Sequence, residues 1–242
     1  MGIFGSKDKQ DDDAQEVASR EDAKEHDDGS WGNRVALGVV ARMVGYGING
    51  VGPLDPVAEV VERARAKHTD PEKVIDEICS DHVRLAAGGG FVTGVGGIVT
   101  MPVALPANVV GFYVLAGRMV AGLMTVRGYD VDDPATRTAI SLTLVGADPN
   151  EILRKAGVPG GKMAQIALDR VPNAARAVIS KGVGFRLVSQ MGARFLGRLG
   201  RAVPLAGGVI GAGLDGYLMG RLADHARAEF PQRDEVPELT QA

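Results

Sequence analysis

Residues 85–117, LAAGGGFVTGVGGIVTMPVALPANVVGFYVLAG, form a run of 33 positions between Arg84 and Arg118 without one charged side chain. Such a run has to be buried, in protein or in lipid, because water penalises contiguous apolar surface. Eight of its positions are glycine (88, 89, 90, 94, 96, 97, 111 and 117), so helix backbones can approach one another closely there. The remainder of the chain has to supply the partners that cover it.

Glycine is abundant throughout, 34 of 242 residues, while aromatics make only 5%. Helices packed through small and aliphatic side chains follow from that balance. A length of 242 residues accommodates one core once the ends are set aside. The net charge of −3 is uneven, since residues 1–30 hold ten acids against four bases. That segment has too few apolar side chains to offset the entropy of ordering, and we expect a disordered acidic tail. A lone cysteine, Cys79, cannot form an intrachain disulfide and fits a reducing, cytoplasmic setting. The acid-rich start has no apolar segment of a secretory leader, and Met1, Gly2 and Ser6 match the short myristoylation pattern only as chance would allow.

Helical spacing of apolar residues begins with Val35, Leu37, Val39, Val40, Met43 and Val44 and stops at Gly45, Gly47 and Gly50. Asp-Pro pairs at 55–56, 70–71, 133–134 and 148–149 each read as an N-cap followed by an N1 proline, opening a helix. Pro102 and Pro106 should interrupt the uncharged run, giving a hairpin of helices 85–101 and 107–127 with a turn between. Irregular helices are expected over 160–184, a long one over 185–202 and a Gly-rich one over 205–229. No segment has the period-two alternation of a strand. The expected fold is all-α: a single helical domain, 31–230, with Gly-rich central helices, and a polar tail over 231–242.

Between 170 and 214 the chain carries seven basic residues and no acid. On a helical wheel Arg186, Arg194, Arg198 and Arg201 share one arc of about 120°, opposite Phe185, Val188, Phe195, Leu196 and Leu199. This basic amphipathic pattern suits anionic lipid headgroups, and equally a solvated outer face. Nucleic acid fits poorly, because the arc lacks interleaved aromatics and the chain is net acidic. Asp215 and Arg118 are isolated charges in apolar Gly-rich segments. Each needs compensation, and a buried ion pair between them is expected.

Gly211, Gly213 and Gly216 spell G-x-G-x-x-G but lack the strand and acidic residue of a dinucleotide site. They read instead, with Gly90, Gly94, Gly97 and Gly207, as helix-packing surface. Cys79 and His82 lie three apart on a charged helix, and His26, His68 and His225 are scattered without partners at ligand spacing, so no metal site is expected. The histidines read as exposed or satisfied. No nucleophile motif and no cofactor signature is present, and the chain reads as non-catalytic.

Three segments, TGVGGIVTMPVALPANV (93–109), RMVAGLMTVRGYD (118–130) and VPLAGGVIGAGLDGYLM (203–219), resemble the EcsC family of bacterial proteins. Thr93-Gly94, Gly96-Gly97, Pro102, Leu105-Pro106, Arg118, Arg127-Gly128-Tyr129, Gly207-Gly208 and Asp215 carry the resemblance, which covers most of 35–230. It implies a helical, membrane-associated protein and brings no reaction or catalytic set. The expected role is that of a lipid-interacting accessory protein on the cytoplasmic side, peripheral on the inner face of the membrane, with a protein partner or a second copy as further candidates. The rival reading is an enzyme, or a carrier of a small apolar ligand, centred on Asp215 and Arg118.

Overall fold

The computed structural model describes residues 42–95, 97–144, 149–158, 160–161, 163–168, 171–172, 174–183 and 206–235. The expected acidic tail 1–30 and the helix 185–202 lie outside the described residues. Among the described residues nine α-helical segments follow in order: α1 (42–49), α2 (Val57–Lys67), α3 (Pro71–Val95), α4 (Gly97–Val126), α5 (Pro134–Leu144), α6 (Asn150–Lys155), α7 (Met163–Leu168), α8 (174–183) and α9 (Ala206–Glu229). Among the described residues the sole β feature is an isolated bridge between Val51 and Leu54. The fold is all-α.

Two Asp-Pro starts behave as the sequence implies. Asp70 Oδ1 accepts the Glu72 N–H at 2.9 Å, and Asp133 Oδ1 accepts that of Ala135 at 2.6 Å. The start at 55–56 differs: the cap position is Pro56, in an extended conformation with φ −56° and ψ 154°, and no side chain caps α2. The Asp55 carboxylate lies 2.6 Å from Arg63 instead. The start at 148–149 is also shifted, with Pro149 as the uncapped boundary of α6.

The expected hairpin needs a larger correction. Helix α3 continues past Arg84 to Val95, and α4 begins at Gly97 and runs through both prolines. The chain therefore reverses among its glycines, before the prolines. Pro102 and Pro106 are the sixth and tenth residues of α4. Each removes one backbone bond, and the four-residue spacing keeps both losses on one side of the helix.

Three long helices form the centre. Gly122 of α4 lies against Ile78 of α3, and Gly89 of α3 against Asn108 of α4, so these two are antiparallel. The pairs Gly90 with Gly211, Val83 and Ala87 with Gly216, and Asp76 with Arg227 make α9 antiparallel to α3 as well. The closest approach is at Gly90 and Gly211, where a Cβ on either would come within 2.4 Å of the other's carbonyl oxygen. Only two glycines tolerate that approach. Nearly all of 116–124 is buried, with Ala116, Val120, Ala121, Leu123 and Met124 at 0% exposure.

The shorter helices cover this centre. Gly47 of α1 rests on α4, its missing Cβ leaving 2.8 Å to Val114 O and 2.9 Å to Arg118 N. Thr136 of α5 reaches Ala167 O of α7 at 3.3 Å, and Gly182 of α8 packs on Ile152 of α6. The Glu229 carboxylate at the end of α9 accepts the Met163 N–H at 3.0 Å, capping α7.

Candidate functional site

At one end of the three-helix centre the chain is closed by polar contacts. Helix α4 stops at Gly128, whose φ of +88° is left-handed, and the Tyr129 N–H returns to Met124 O at 3.0 Å. This glycine-terminated stop turns Arg127 and Tyr129 toward the end of α9. Arg127 is buried and donates to Arg227 O at 2.8 Å, to Phe230 O, and through Nη2 to both oxygens of Glu72 at 3.0 and 3.2 Å. Tyr129 donates to Pro231 O at 3.0 Å and its ring meets Phe230 edge-on, 5.8 Å between centroids. Arg233 N–H bonds Arg127 O at 3.0 Å. Residues 231–235, the start of the expected polar tail, are thus held against the ends of α4 and α9; 236–242 lie outside the described residues. Sequence reading placed Arg127 only among the residues that carry the family resemblance, because two of its acceptors are main-chain groups 100 and 103 residues away.

The opposite end is different in kind. Asp215 is buried at 3% exposure, and its Oδ2 accepts from Asn108 Nδ2 at 2.9 Å, directly over Gly90. Around this junction large apolar side chains face outward: Phe91 at 45% exposure, Val92 at 72%, Val209 at 69% and Ile210 at 47%.

The expected ion pair between Arg118 and Asp215 is not formed. Asn108, which meets Asp215, lies ten residues before Arg118 on the same helix, an axial offset of about 15 Å. Arg118 is buried at 5% exposure and its Nε has no partner among the described residues. Its charged neighbours are Asp55 and Arg63, and burial pushes its guanidinium below the ordinary value while Asp55 opposes this. The rival site built jointly on Asp215 and Arg118 therefore has no common centre.

His82, expected to be exposed or satisfied, is buried at 2% exposure. Its Nδ1 lies 2.7 Å from Ile78 O while Nε2 has no partner among the described residues. Burial, with Arg118 adding to it, pushes its pKa down to about 4, so the ring is neutral at pH 7. Cys79 is also buried, which pushes its thiol up and leaves it unreactive.

Of the other expected residues, Gly90 and Gly211 meet at the α3–α9 crossing. Gly94, Gly97 and Gly207 lie in helices, but their surroundings fall outside the described residues, as do Arg186, Arg194, Arg198 and Arg201. Among the described residues no group of histidine, cysteine and carboxylate side chains is placed to hold a metal ion. Residues Asn108–Val126 are long and apolar enough to cross a membrane, yet 72% of that window is buried inside the protein.

No curated protein and no solved structure matches the chain. A model of the EcsC protein family matches residues 58–234, from the second residue of α2 to the docked segment beyond α9. The match takes in the Arg127 clamp, the Gly90–Gly211 crossing and Asp215, and on it the chain belongs to the EcsC protein family.

Proposed function

We propose that this chain is a non-catalytic accessory protein that docks on an anionic membrane surface, peripheral on the cytoplasmic face. The observation that carries this reading is the apolar end, where Phe91, Val92, Val209 and Ile210 are exposed beside the α3–α9 crossing. Exposed apolar groups at the end of a helical centre suit shallow insertion among headgroups and acyl chains. The basic segment holding Arg186, Arg194, Arg198 and Arg201 leads directly into α9. At roughly 1 kcal/mol per basic residue near an anionic surface, four arginines would add substantially to such insertion. The interior position of 108–126 favours docking over spanning.

Vesicle flotation tests this. The chain should float with anionic vesicles and not with neutral ones, less at high salt than at low. Changing the four arginines to Gln should reduce low-salt binding strongly, and Val92→Glu with Val209→Glu should reduce binding at both salts. Equal binding by both variants and the parent would sink the proposal. Resistance of the native protein to alkaline carbonate would replace docking with spanning.

A further inference from the structure

Ile78 of α3 packs on Gly122 of α4, with 3.3 Å from its Cγ2 to the position a Cβ would take. The two helices are antiparallel, so one turn onward in α3 and one turn back in α4 bring His82 opposite Arg118. Both are more than nine-tenths buried, and each has a polar atom without a partner among the described residues, Nε2 and Nε respectively. The two orphans are complementary in sign. A carbonyl oxygen can only accept, so the contact of Nδ1 with Ile78 O puts the ring proton on Nδ1 and leaves Nε2 as a bare acceptor. Arg118 offers only donors.

The charge balance points the same way. Asp55 and Arg63, the charged neighbours of Arg118, lie 2.6 Å apart and neutralise each other. Arg118 is left as one surplus positive charge, and an uncompensated buried charge is costly.

We propose that Arg118 and His82 together bind a singly protonated phosphate group, inorganic or a monoester, beside the 50–56 loop. Its anionic oxygens accept from the guanidinium, and its P–OH donates to His82 Nε2. Sulfate has the same shape but no proton at neutral pH, so it sets a lone pair against that of Nε2. A simple carboxylate has the same defect. This site is separate from the apolar end, and it stands or falls independently of membrane docking.

Thermal unfolding of the full chain with inorganic phosphate or with sulfate at matched ionic strength tests it. Phosphate should raise Tm, and sulfate should need about tenfold higher concentration for the same rise, the worth of one unmet hydrogen bond. Arg118→Met should abolish the phosphate response. His82→Leu, which keeps the charge and removes the acceptor, should erase the difference between the two anions even if Arg118→Met does not fold. Equal responses of the parent chain to phosphate and sulfate, or a phosphate response that survives Arg118→Met, would overturn the proposal. Vesicles containing phosphatidic acid distinguish the sources: retention that depends on Arg118 identifies a lipid headgroup, and retention indifferent to Arg118 identifies a soluble phosphate species. Val92→Glu with Val209→Glu should leave the phosphate response unchanged.

Discussion

The two ends of the three-helix centre solve the same problem by opposite means. Where α3 begins and α4 and α9 end, Arg127 gathers Glu72, Arg227 O and Phe230 O, and Tyr129 holds Pro231. Where α3 ends and α9 begins, the contact is backbone on backbone at Gly90 and Gly211, and the flanking Val92 and Val209 face outward. One end is sealed by directional bonds that tie distant parts of the chain together. The other relies on close packing and leaves apolar surface uncovered, the arrangement expected of a docking face.

The largest effect should come from the sealed end. Arg127→Met strands two carbonyls and removes a bidentate ion pair, and should cost roughly 4 kcal/mol in urea unfolding. Glu72→Gln, at a side chain that is itself half exposed, should cost about 1 kcal/mol or less. Similar losses from the two would mean that the main-chain acceptors matter less than the ion pair.

Between the ends, His82 makes stability sensitive to acid. Its folded pKa of about 4 lies below the unfolded value of 6.5, so over that interval the unfolded chain binds more protons and stability falls as pH falls. The total is roughly 3 kcal/mol, and His82→Leu should flatten the curve between those limits. An unchanged curve would show that His82 is not the source of the acid sensitivity.

Gly90→Ala comes next, since its Cβ would fall 2.4 Å from Gly211 O and 2.7 Å from the Asp215 carboxylate. Forcing the helices apart should cost about 1 to 3 kcal/mol. Gly213→Ala on α9, with open space around it, should be neutral or slightly stabilising. The smallest stability effect belongs to Val92→Glu with Val209→Glu, within about 0.5 kcal/mol by calorimetry, although lipid binding should fall. A large loss of stability there would show that the apolar end is covered in the folded protein.

Local chemistry was legible from residues alone: helical periodicity, Asp70 and Asp133 as caps, and glycine as the means of close helix packing. Such features depend on neighbours within a turn or two, where bonding is nearly independent of the rest of the fold. The chain reversal was placed at the prolines because their penalty is explicit, while a glycine pair signals a break only weakly. Pairing of the buried charges was beyond the sequence's reach. Two isolated opposite charges in apolar helices look like partners, but contact requires matching both axial height and rotation, and each residue moves a side chain by about 1.5 Å and 100°. The observed register hands Asp215 to Asn108, sets Arg118 opposite His82, and carries Arg127 to the end of α9. The sequence by itself determined that this chain is a set of glycine-packed helices, because helix formation and small-residue packing are local properties. Only the tertiary structure decided which polar groups are satisfied and which wait for a partner, because that depends on how far each helix slides and turns against the next.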